Sequence, residues 1–224
     1  MDAVTNLIQN GLLKDLLISQ RSYLLNKEIH EISKVKLTPI KTDISKILYD
    51  LTYTEMVLAL CRLYDEPAKK YPTRCIKQLY MLIKDAEYKT EIADQALLGS
   101  QLQYLGFSPE FISLLEKSSI VDFNKRAVLF YQAEELNDPI SSCLVTIKNI
   151  RNKLLAHNED ISINSWLPYE TIEILLDHAK NVISFFSLAY SGVIIKVLDN
   201  FPLSQRAYAW RAMYKKFIGD ENGG

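Results

Sequence analysis

The residues of this chain that could do chemistry gather in one stretch, Lys148-Asn149-Ile150-Arg151-Asn152-Lys153-Leu154-Leu155-Ala156-His157. A guanidinium forks onto phosphate oxygens and stabilises the charge that develops as a phosphoryl group transfers. An imidazole near neutral pKa takes or gives a proton. Arg151 and His157 are therefore the candidate catalytic pair for cutting RNA without a metal. His157 would help the ribose 2′-hydroxyl attack the adjacent phosphate or protonate the leaving oxygen, and Arg151 would hold the pentavalent phosphate. Asn152 is a candidate to orient the imidazole or to donate to phosphate. Lys148 and Lys153 are candidates to bind the substrate through local positive charge. The bland reading stands beside this one, because a helix C-terminus favours Lys, Arg and His whatever the function.

A helix must position these groups. Cys143, Ile147, Ile150 and Leu154 fall at spacings of four, three and four, which makes one buried stripe after Pro139. Arg151 and Asn152 lie at its border, and His157 lies about a third of a turn around the axis from Arg151 at 3.6 residues per turn. Asn137-Asp138-Pro139 starts this helix. Upstream, helical spacing predicts Asp2 to about Lys34 with an early break at Asn10-Gly11. It then predicts a helix from Thr42 or Asp43 to Glu66-Pro67, and Arg74 to Lys89. Weaker pieces run from Glu91 to Tyr104. Gly106 is a C-cap, Ser108-Pro109 opens a helix, and Asp122 caps Phe123 to Leu136. Trp166-Leu167-Pro168 opens a helix to about Tyr190, and Leu203 to Ile218 closes the chain. Val193 to Leu198 is β-branched, but its place beside a long helical run favours helix. The expected fold is an all-α multi-helix bundle. It reads as a single domain over 1–224, with an N-terminal helical extension (about 1–40) and a C-terminal basic helix (about 203–218).

The chain bounds the chemistry in other ways. Its net charge of −1 argues against a general nucleic-acid-coating surface, so RNA binding requires a local basic cleft. Cys61, Cys75 and Cys143 are widely spaced and odd in number, which fits reduced thiols in a cytoplasm. No Cys, His, Asp or Glu cluster has ligand spacing, so no metal and no other cofactor is expected. No apolar run is long enough for a membrane span and no secretory signal is evident. Arg62 and Asp65, three apart on a helix, read as an intrahelical ion pair. Arg206, Trp210, Arg211, Tyr214, Lys215, Lys216 and Phe217 read as a helix that packs its aromatics on the body and solvates its cations. RNA stacking is the alternative.

Arg151-Asn152-Lys153-Leu154-Leu155-Ala156-His157 resembles the signature of the HEPN superfamily: an Arg, a polar neighbour, and a His four to six residues after the Arg. The stretch Leu58-Ala59-Leu60-Cys61-Arg62-Leu63-Tyr64-Asp65 is similar to the same region of the abortive-infection (Abi) U-type HEPN-like proteins. The resemblance spans roughly residues 40 to 190. It implies a metal-independent endoribonuclease, a toxin or antiphage effector, that acts as a homodimer with paired signatures at the interface, under a cognate antitoxin or regulator. Leu144, Ile147 and Leu155 are candidates for that interface. One departure matters: antitoxin-modified HEPN toxins carry a Tyr two residues after the His, and this chain has Asn158-Glu159. The competing reading is a non-catalytic helical dimerisation or interaction module of a two-component defence or toxin–antitoxin system. Burial separates the two. Arg151 and His157 together on a solvent-filled groove favour the enzyme, whereas a His157 capped into a core, or an Arg151 paired to a core carboxylate, favours the module.

Overall fold

A computed structural model describes residues 3–33, 39–68, 73–84, 95–104, 106–116, 120–156 and 167–191. Among the described residues the fold is all-α, with no strand. The helices are α1 (Ala3–Leu7), α2 (Leu13–Ser33), α3 (Pro39–Leu63), α4 (Ile76–Lys84), α5 (Gln95–Tyr104), α6 (Pro109–Glu116), α7 (Ile120–Leu136), α8 (Ile140–Ala156) and α9 (Tyr169–Ser191). A π-helical turn, Ile8–Leu12, joins α1 to α2. The break expected at Asn10-Gly11 is thus a local widening of a continuous helix, not an interruption.

Local chemistry explains most boundaries. Gly106, at φ 84°, ends α5 with paired bonds: its N–H donates to Gln103 O and Phe107 N–H to Leu102 O, each at 3.0 Å. This left-handed C-cap suits glycine because no Cβ opposes positive φ. Ser108 Oγ accepts the Phe111 N–H at 3.2 Å, so it caps α6 ahead of Pro109. Asp138 Oδ1 accepts the Ser141 and Ser142 hydroxyls at the start of α8. Two starts differ from expectation. Helix α3 begins at Pro39 instead of Thr42 or Asp43, since proline's missing N–H and preset φ suit a first helical position. Helix α7 begins at Ile120, which puts Asp122 inside its first turn, where the helix dipole also favours an acid, and not at its cap.

One apolar core runs from Val4 to Ala189, and Val4, Leu7, Ile8, Leu12 and Leu16 of the first helices belong to it. Its centre is α9, where every residue from Val182 to Ala189 is buried. A helical stretch buried on every side must be enclosed on every side, and α9 meets α1, α2, α3, α5, α8 and the π turn. The broadest helix pair, α2 with α3, meets along a polar seam. Asp15, Ser19, Ser22 and Asn26 recur at heptad-like spacing and are all buried. Each is satisfied across the antiparallel pair: Asp15 by Arg62, Ser19 by Met56 O, Ser22 by Glu55, and Asn26 by Tyr49 O. Hydrogen bonds of this kind offset the cost of burying polar groups and fix the register.

Candidate functional site

Helix α8 carries the stripe as read from its spacing, for Cys143, Ile147 and Ile150 are all buried. That burial turns Arg151 to the border of the stripe and leaves Asn152 exposed. Lys153 lies on the α8 backbone. His157, and the basic stretch from Leu203 to Ile218, lie outside the described residues.

Arg151 meets Asp65. Its Nη1 donates to Asp65 Oδ1, and the two side chains are 27% and 34% exposed, so the pair sits at the surface of the bundle and not in the core. Helix α3 makes the meeting possible by running past α8, with the Cys61 thiol 3.8 Å from Ile147 O. Arg62 and Asp65 do not pair with each other as expected. Arg62 instead turns to α2, where Nε and Nη2 both lie 2.8 Å from Asp15 Oδ1, while Asp65 turns to α8. The end of α3 is therefore tied to two different helices. Tertiary partners of better geometry displace the intrahelical pair, which is worth only a few tenths of a kcal/mol.

A solvent-open cavity of about 430 Å³ adjoins the pair, lined by Gly11, Lys14, Asp15, Ile18, Arg62, Asp65, Thr73 and Arg74. Asp65 stands both on its wall and against Arg151, so cavity and signature share one carboxylate. Around the corner, Glu66 takes Lys77 and, at 3.5 Å, Lys148. The Lys77 hydrogen bond, with the charge of Lys148 added, holds the Glu66 carboxyl below its usual range. Lys148 is thus shared with an acid instead of standing open. Among the described residues, six cations (Lys14, Arg62, Arg74, Lys77, Lys148 and Arg151) face four carboxylates (Asp15, Asp65, Glu66 and Glu135) at this end of the bundle. A chain of net charge −1 has here a locally positive surface.

The thiols beneath are inert. Cys61, Cys75 and Cys143 are free and buried, and burial pushes the Cys61 thiol up to about 12. No group of three or more His, Cys, Asp or Glu among the described residues could hold a metal ion, and none of the described helices is long and apolar enough to cross a membrane. Of the interface candidates, Ile147 is buried in the core, Leu144 is partly buried against it, and the side chain of Leu155 lies outside the described residues. Val145 is a large apolar residue that α8 leaves exposed. Sequence reasoning missed Lys14, Asp15 and Arg74, which carry no motif. The one signal was Gly11 within a helix. No family model, no curated protein and no solved structure matches the chain.

Proposed function

We propose that the chain is a metal-independent endoribonuclease of HEPN type that cleaves RNA through Arg151 and His157, and that it serves as a toxin or antiphage effector. The observation that carries this reading is the Arg151–Asp65 pair on the rim of the basic cavity. It joins the two stretches on which the family resemblance rests, 58–65 and 148–157, in one place. Asp65 orients the guanidinium through Nη1, and the remaining donors have no protein partner among the described residues. A guanidinium has five donors, so one such contact leaves the fork able to bind phosphate.

In the reaction, the ribose 2′-oxygen attacks phosphorus and the bond to the 5′-oxygen breaks. The proton leaves the 2′-hydroxyl and reaches the 5′-oxygen, with His157 as the group that moves it. Arg151 stabilises the charge on the non-bridging oxygens. The products are a 2′,3′-cyclic phosphate and a 5′-hydroxyl. A homodimer about the signature helix would double the cationic groups in one cleft, with Val145 as its outward apolar residue.

The competing reading is that Arg151–Asp65 only staples α3 to α8 in an interaction module, since partly buried ion pairs between helices are common. Digestion of total RNA by the purified chain, with and without a chelator, distinguishes the two. The wild type should cleave in both conditions, and His157→Ala should not. Cleavage restored only by a divalent ion, or an active His157→Ala, would count against the ribonuclease reading.

A further inference from the structure

We infer that the cavity between the π turn and the segment after α3 is a second anion site, which seats a backbone phosphate of single-stranded RNA beside the one held at Arg151. This inference rests on the ribonuclease reading for its ligand, but on separate residues for its argument. The carboxylates of the cavity are already engaged, Asp15 by Arg62 and Asp65 by Arg151. Two positive charges are left over. Lys14 is exposed and has no ion-pair partner among the described residues. Among the described residues Arg74 is held only by a backbone carbonyl, with Nη1 donating to Asn10 O at 2.8 Å. A carbonyl orients a guanidinium without neutralising it, so the charge stays available to an anion.

The backbone is shaped to hold Arg74 in this position. Asn10 and Gly11 lie in the π-helical turn, and a Cβ on Gly11 would stand 3.0 Å from both Cβ and Cδ of Arg74. Glycine therefore lets the arginine stem lie directly on the turn, while the widened helix presents the Asn10 carbonyl to its head. Single π turns inside helices recur at functional sites for this kind of reason. A cavity of about 430 Å³ has room for a phosphodiester and part of a ribose. Its shared wall, Asp65, puts that group next to Arg151. Two adjacent phosphates held this way would fix the chain direction of the RNA across the scissile bond.

The test uses the full chain and a fluorescein-labelled single-stranded oligonucleotide with 2′-O-methyl riboses, which cannot be cleaved through the 2′-oxygen. Lys14→Gln and Arg74→Gln should each weaken binding about fivefold and flatten the slope of log affinity against log salt by about 0.7, the value for one contact to a single strand. On cleavable RNA they should raise KM and leave kcat near that of the wild type. Lys46→Gln is the control, since Lys46 is exposed on α3 about 24 Å from Arg62 at 1.5 Å per residue. It should change neither affinity nor slope. If the double variant binds as the wild type does, or if Lys46→Gln weakens binding as much as Lys14→Gln, the site is overturned. A wild type that binds but does not cleave, with binding lost in the double variant, supports the site and sinks the nuclease reading. A wild type that cleaves, with binding unchanged in the double variant, does the reverse.

Discussion

Tyr64 and Asp65 are neighbours in the chain and belong to opposite worlds. Asp65 stands on an open rim where every charge is paired or faces water. Tyr64 is 4% exposed and ends in a buried polar cluster, where its hydroxyl donates to Leu175 O at 2.7 Å and lies 2.9 Å from His178 Nδ1. A phenol has one proton, and the carbonyl takes it. His178 must then donate from Nδ1, which leaves Nε2 as a bare acceptor, buried and without a hydrogen-bond partner among the described residues. Burial pushes the His178 imidazole down to about 4 and the Tyr64 hydroxyl well above its usual range. The same ending of α3 thus supplies ion-paired groups at the surface on one side, and groups locked neutral on the other. Rim groups can serve a ligand at little cost to the fold, whereas the buried groups serve the fold and make it sensitive to pH.

Four changes would break or sharpen this contrast. The largest effect is expected at the rim, in rate and not in stability. Arg151→Ala should lower RNA cleavage by at least 100-fold, in the range of a lost charge-stabilising donor. It should shift the unfolding free energy by no more than about 1 kcal/mol, because the Asp65 it abandons is still solvated. Arg151→Lys keeps the charge but loses the fork, and should stay far below the wild type. Cleavage rates and denaturant melts of both variants check this, and a large loss of stability would make the pair a structural staple.

Next is pH. The folded His178 pKa, about 4, lies below its unfolded value of 6.5, so the unfolded chain binds the proton first as pH falls. The stability this group contributes is present in full above pH 6.5 and is lost as pH drops toward 4. Between pH 7 and pH 5 the loss should be on the order of 2 kcal/mol. His178→Gln should remove that part of the pH dependence, read as the difference between the two urea-unfolding profiles. Parallel profiles would mean that the imidazole is solvated.

Tyr64→Phe should cost about 1–2 kcal/mol, since it strands a buried carbonyl and the His178 N–H. Cleavage at pH 7 should not change, and a falling rate would mean that the buried cluster also positions Asp65. The smallest effect belongs to a fully surface pair. Arg21→Ala removes the 3.3 Å contact to Glu55, in which both side chains are about half exposed, and should alter stability by less than about 0.5 kcal/mol and cleavage not at all. A larger change would show that the α2–α3 seam depends on its outer charges.

Much of the fold was legible because its causes are local. The four-three spacing of Cys143, Ile147 and Ile150 demands one buried helix face, and that face sets Arg151 at its border. Gly106, Ser108 and Pro139 mark helix ends through backbone geometry that each residue carries with it. The sequence by itself therefore determined an all-α fold, the course of the signature helix and a small set of candidate groups.

Only the tertiary structure decided what those groups meet. Asp65 and Arg151 are 86 positions apart, and no periodicity pairs them. Arg62 had a suitable acid three residues away and took Asp15 of another helix instead. The α2–α3 seam is polar, so a reading built on apolar spacing passes over Ser19, Ser22 and Asn26. Ile147 reads both as part of the buried stripe and as an interface candidate, and the enclosing helices bury it in the core. Lys14 and Arg74 line one cavity, and Arg74 reaches it by lying on Gly11 of the π turn. The helical repeat fixes which way a side chain leaves its own axis, but its energy depends on partners brought by other helices, and that information lies in the packing.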